Sequence, residues 1–84
     1  MSKLSKRFID KIKSDILQVL YESNLKPLYT KHIGDEIARD DELVMRLLND
    51  LKKENVVKNV GNYKRRKKWV LTNEAYNKYK ELIS

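Results

Sequence analysis

Five consecutive cationic side chains, Lys64, Arg65, Arg66, Lys67 and Lys68, stand between the apolar stretches Val56-Val57 and Trp69-Val70-Leu71. An unbroken run of one sign suits phosphate: each Lys or Arg seated on a phosphate releases a condensed counterion. A guanidinium such as Arg65 or Arg66 also fits a narrowed minor groove. Tyr63, immediately upstream, can pack on a sugar or donate a hydrogen bond to a phosphate oxygen. The plainer reading is a solubilising loop tip, but such surfaces mix signs and this run does not.

Other chemistry has little to stand on. His32, Asp35 and Glu36 fall on one helical face at a spacing that could hold a metal, yet no fourth ligand accompanies them, so no metal or cofactor is expected. The chain has one His, no Cys and two isolated Gly, which removes thiolate catalysis, Cys-containing zinc sites and Gly-rich phosphate cradles. Scattered carboxylates with no convergent pocket do not make an enzyme, and none is expected.

The formal charge is +7, and its distribution matters more than its sum. Residues 1–31 carry +4, residues 32–57 carry −3, residues 58–71 carry +6, and residues 72–84 balance. The positive field flanks an acidic centre. A basic domain of this size favours nucleic acid as partner, with an anionic membrane surface as the weaker alternative. No apolar run of about 18 residues exists to cross a membrane, and the start MSKLSKRFID lacks the apolar segment of a secretory signal, so a cytoplasmic protein is expected.

These groups need elements to position them. With 84 residues there is room for one domain over residues 1–84, with one modest core. Phe8, Ile9, Ile12, Ile16, Leu17 and Leu20 recur at helical spacing and predict a helix over Ser5 to Glu22, with Lys3, Lys6, Arg7, Lys11 and Lys13 on its N-terminal face. Ser23-Asn24 is a stop, and Pro27 forbids continuation. Leu28-Tyr29 is a short extended piece, after which Thr30 is expected to cap a second helix ending near Ala38. Val44, Leu47, Leu48 and Leu51 give a third helix over Asp41 to Glu54, capped by Asp40 or Asp41, with Asn55 as a left-handed stop. Val56 to Val60 and Trp69 to Leu71 read as strands, with Gly61-Asn62 as the turn of a hairpin whose tip is charged. Thr72 caps a last helix, Asn73 to Ile83, whose apolar side is Ala75, Tyr76, Tyr79, Leu82 and Ile83. Trp69 lies between the charged hairpin and an apolar strand, which favours packing over service as a base-stacking platform.

The stretch from Thr30 to Val57 resembles a helix-turn-helix. Gly34, Ala38 and Val44 match that family's spacing of two small residues and a branched apolar one, with Ile33, Ile37 and Leu47 buried around them. In the resemblance the small residues allow close approach of the helices and Val44 fills the space between them; Arg39 departs from it, where the family usually buries an aliphatic residue. With its flanking elements the whole chain is similar to a winged helix-turn-helix domain, mainly α with a small β wing in the order α-β-α-α-β-β-α. Leu51 to Leu82, with Asn55 for the usual Gly and Ala75 where Gly is frequent, resembles the wing and closing helix of small prokaryotic regulators. The style also resembles small winged-helix proteins of archaea and their viruses and plasmids.

The resemblance implies a sequence-preferring double-stranded DNA-binding protein, a transcription regulator associated with the nucleoid. The helix at Asp41-Glu54 would enter the major groove and the wing Gly61-Lys68 would meet backbone or minor groove. Groove-facing residues would be Asp40, Asp41, Glu42, Met45, Arg46 and Asn49, with Lys52 and Lys53 nearer the backbone; Arg46 suits guanine and Asn49 adenine. Asp40 and Asp41 are equally explained as caps. Thr30, Lys31 and His32 would be backbone contacts, His32 having the alternative of a plain surface histidine. Tyr76 and Tyr79 either close the core against the first helix or join a homodimer surface made by Ser5-Glu22 and Asn73-Ile83. Two other classes fit the same fold: a protein-interaction module using the acidic turn, and a nonspecific chromatin-type DNA-binding protein.

Overall fold

A computed structural model describes residues 5–63 and 66–83, with residues 62, 63 and 66 described in their backbone alone. The first helix, α1, spans Lys6–Glu22, and Ser5 caps it by accepting a 3.1 Å hydrogen bond from Phe8 N. Its stripe of Ile12, Ile16 and Leu20 is fully buried, with Phe8, Ile9 and Leu17 packed alongside. Beyond it Asn24 and Leu25 both adopt left-handed backbone, and Ser23 Oγ lies 2.7 Å from Leu20 O and 2.9 Å from Lys26 O across this bend.

β1, Leu28–Tyr29, leads directly into α2, Thr30–Ile37. The expected cap at Thr30 is not found: Thr30 is already the first helical residue, Tyr29 takes the cap position, and no side chain caps the helix. The Thr30 hydroxyl instead accepts the indole N–H of Trp69 at 2.8 Å. A buried indole N–H left unbonded would cost about 1–3 kcal/mol, more than a cap typically contributes, so the long-range partner takes the oxygen.

The turn after α2 is built on Ala38, which is left-handed at φ 56°. Its N–H bonds to Asp35 O and that of Arg39 to Gly34 O, closing the helix in a Schellman arrangement. This corrects one expectation. Gly34 is buried, and a Cβ there would lie 2.8 Å from Asp41 Oδ1, a side-chain atom that can turn away, and 3.1 Å from the Arg39 carbonyl oxygen, so the approach is close and leaves a side chain little room. Ala38, by contrast, is exposed and serves backbone reversal rather than helix contact. Arg39 lies over the Phe8 ring, 4.9 Å from its centroid, and so covers apolar surface without being buried.

α3 spans Asp41–Lys53, capped by Asp40 Oδ2, which accepts from Glu42 N at 3.1 Å and Leu43 N at 3.4 Å. Asp41 and Glu42 in its first turn and Lys52 and Lys53 in its last complement the helix dipole. Glu54 stands at the C-cap and Asn55 is left-handed at φ 62°, repeating the hydrogen-bond pattern that ends α2.

β2, Val57–Tyr63, and β3, Arg66–Leu71, form an antiparallel hairpin in register Val57↔Leu71 and Asn59↔Trp69. β1 adds to the other side of β3 through Leu28↔Trp69 and Tyr29↔Lys68, giving the order β1-β3-β2. The expected turn at Gly61-Asn62 is overturned: both residues belong to β2, and the pairing slips between Val60 and Tyr63. Gly61, at φ 59°, supplies the left-handed residue of that irregularity. The strand therefore runs on to Tyr63, and the basic run falls partly on β3 rather than wholly on a loop.

Thr72 caps α4, Asn73–Ile83, accepting from Ala75 N at 3.2 Å while donating to Asn55 O at 3.0 Å. Tyr76 stacks on Tyr21 at 4.9 Å between centroids, Tyr79 meets the same ring at 4.8 Å, and Tyr76 Oη donates to Asn24 Oδ1 at 2.8 Å. The tyrosines thus tie α4 to α1, while Leu82 and Ile83 stay exposed. One core unites the elements: Ile12, Ile16 and Leu20 of α1, Ile33 of α2, Val44, Leu47, Leu48 and Leu51 of α3, and Val57, Trp69 and Leu71 of the sheet. Each such side chain contributes about 1.5–3 kcal/mol of burial. A helix-turn-helix backed by α1 and flanked by a hairpin is the winged-helix architecture, in the element order that the sequence led us to expect. Among the described residues, no helix is long and apolar enough to cross a membrane.

Candidate nucleic-acid interface

The core stripe of α3 fixes what its other side presents. Val44, Leu47, Leu48 and Leu51 point inward, so Glu42, Met45, Arg46 and Asn49, at i, i+3, i+4 and i+7, line up on the opposite face. They form one wall of an open groove. The other wall comes from the start of α2, with Tyr29, Thr30, Lys31, His32 and Asp35, and Asp41 closes one end. Lys67 reaches the same groove from β3, two residues before the buried Trp69 and on its side of the sheet.

β1 pairs with β3 and runs directly into α2, and the Trp69–Thr30 hydrogen bond reinforces that junction. It pins the sheet to the first residue of α2 from a partner 39 positions away. Lys67 and Lys31 are thereby held on two rims of one groove. Lys31, His32, Arg46 and Lys67 are exposed, and none of them makes an ion pair among the described residues. Exposed Lys and Arg side chains lining a groove whose one wall is a helix face are suited to a polyanion that also presents hydrogen-bonding edges.

The structure brings together Thr30, Lys31, His32, Glu42, Met45, Arg46, Asn49 and Lys67. It sets others apart. Lys52 and Lys53 are exposed on the last turn of α3, beyond the groove. Lys68 does not line the groove itself, but its Nζ lies 5.1 Å from the centroid of the ring of Tyr29, a residue that does. Lys64 and Arg65 lie outside the described residues, as do the side chains of Tyr63 and Arg66, and Lys3 lies outside them at the N-terminus. Two groove residues, Tyr29 and Asp35, were not singled out for it from the sequence. Asp35 sits three residues after His32 on α2, a spacing weighed only for metal; among the described residues no group of three such ligands comes together.

No protein-family model matches the chain, and no curated protein is matched in sequence. The fold itself is that of winged-helix proteins, and solved structures share it closely. A protein of Ralstonia eutropha assigned to DNA binding superposes with a TM-score of 0.78 at 19% identity, over 89% of this chain and 98% of its own. A variant of MepR from Staphylococcus aureus gives 0.76 at 21% identity, over 88% of this chain and 55% of its own. A variant of Lactococcus lactis ZitR gives 0.72 at 21% identity, over 99% of this chain and 56% of its own. The chain therefore spans nearly all of the Ralstonia protein and about half of the other two.

Proposed function

We propose that this chain binds double-stranded DNA with sequence preference and regulates transcription. The observation that carries the reading is the groove: the outward stripe of α3 lies between Lys31 and His32 on one rim and Lys67 on another. On this reading α3 enters the major groove, with Arg46 and Asn49 reading base edges and Met45 supplying apolar contact. The start of α2 meets phosphate through Thr30, Lys31 and His32, and the basic strand and tip, Tyr63 to Lys68, meet backbone and minor groove. The reading draws support from fold neighbours named as transcription regulators, MepR among them. Leu82 and Ile83, exposed at the end of α4, are available to a second copy, so a two-fold dimer reading two half-sites about one helical turn apart belongs to the same proposal.

The test is selection of a random-sequence duplex pool at two salt concentrations. A regulator enriches a motif, and a dimer enriches a palindrome. Lys67→Ala lowers the log–log salt slope by about one without changing the motif. Arg65→Ala with Arg66→Ala lowers it by about two; an unchanged slope removes the wing from the interface. Binding that falls steeply with salt and enriches nothing indicates a nonspecific packaging protein. No binding at low salt ends the nucleic-acid reading.

A further inference from the structure

Three carboxylates in a row, Asp40, Asp41 and Glu42, open the helix that faces the groove. Near phosphates each is repelled, so an interface of this kind has to account for all three. The structure separates them. Asp40 is turned onto its own helix, where its carboxylate serves as the cap for Glu42 N and Leu43 N. Asp41 edges the groove but is set against α2, its Oδ1 so near Gly34 that a Cβ there would be 2.8 Å away. Glu42 is neither a cap nor packed on a neighbouring helix. It is exposed, makes no side-chain hydrogen bond or ion pair among the described residues, and lies in the groove on one stripe with Arg46 and Asn49.

A carboxylate can only accept, and that decides which base it tolerates. Guanine and thymine present acceptors to the major groove, and adenine places its N7 acceptor beside its amino group. Cytosine alone offers an amino donor, N4, with no acceptor of its own beside it. We infer that Glu42 is a specificity-determining residue of the proposed DNA interface, selecting cytosine by accepting from its N4 amino group. The inference rests on the DNA-binding reading and deepens it. Arg46, one turn along the same face, offsets the carboxylate charge toward the flanking phosphates. A helix seated in the major groove lies at an angle to the DNA axis, and residues three to four apart on its face meet successive bases. The cytosine therefore falls about one base pair from the base under Arg46 and about two from that under Asn49.

The experiment selects bound duplexes from a random pool with the wild-type chain, Glu42→Ala and Glu42→Gln, after circular dichroism has shown that both variants keep their helix content. The wild type enriches a site with one fixed cytosine, and changing that base pair alone weakens binding about 10- to 100-fold. In Glu42→Ala the same change alters affinity less than about 2-fold, while the rest of the motif persists. Glu42→Gln moves the preference at that position toward adenine, whose N6 and N7 suit a side-chain amide. If Glu42→Ala binds every sequence more tightly by one common factor and selects the wild-type motif, the carboxylate only repels phosphate and the inference is overturned. If the wild type enriches no motif at all, the DNA-preference reading fails first and the inference falls with it.

Discussion

The two helices that meet in the turn begin in opposite ways. α3 begins closed: Asp40 occupies its first free N–H groups, and Asp41 and Glu42 add negative charge around them. α2 begins open: no side chain caps it, its Thr30 hydroxyl is engaged by Trp69, and Lys31 and His32 follow at once. Both starts border the same groove. An uncapped start beside cations favours an anion, whereas a start filled with carboxylates rejects one and leaves its outward acceptor for a donor. On the proposed DNA-binding reading, this difference would divide the groove between backbone contact at α2 and base contact at α3.

Substitutions can break this contrast, beginning with the joint between the two helices. Gly34→Val puts a Cβ against Asp41 and the Arg39 carbonyl and adds two methyl groups to a buried position, and we expect a loss of about 3 kcal/mol in urea denaturation, although Val exceeds Gly in helix propensity. A smaller loss would mean that the Asp41 side chain turns away and the turn yields at the Arg39 carbonyl, 3.1 Å from a Cβ at position 34. Thr30→Val should cost about 2 kcal/mol by leaving the buried indole N–H unbonded, and Thr30→Ser should restore most of it. Equal stability of Thr30→Val and the wild type would dissociate the open start of α2 from the sheet. Asp40→Ala should cost about 1 kcal/mol, recovered by Asp40→Asn, because only the cap of α3 is lost. If Asp40→Ala instead leaves the melting temperature unchanged, the closed start is not maintained by its carboxylate.

Much of the fold was legible because its signals are local. Asp40 and Thr72 sit directly before periodic apolar stripes, and each is a cap. Asn55 ends α3 in the left-handed conformation that its short amide tolerates. What escaped depends on distant partners. Thr30 looks like a cap until Trp69, far along the chain, takes its oxygen. Gly61-Asn62 has the composition of a turn, but pairing with β3 carries the strand past it, and composition does not encode where register slips. Ala38 matched a packing position in the resemblance yet performs the backbone reversal. In the site, the groove-facing residues of α3 came from the resemblance, and the periodicity of its buried face agrees with Glu42, Met45, Arg46 and Asn49. The positions of Tyr29, Asp35 and Lys67 around that face followed from neither, since they depend on how the sheet meets α2.

The Trp69–Thr30 contact also gives the molecule an optical handle. Trp69 is the only tryptophan in the chain, and it is fully buried. Its emission therefore arises from one point, where the sheet joins the first residue of α2 beside the groove. Loosening of that junction exposes the indole to water and shifts its emission to longer wavelength, whereas fraying of the distant end of α4 leaves the spectrum unchanged. Fluorescence and far-ultraviolet circular dichroism on the same sample thus separate opening of the groove from loss of helix.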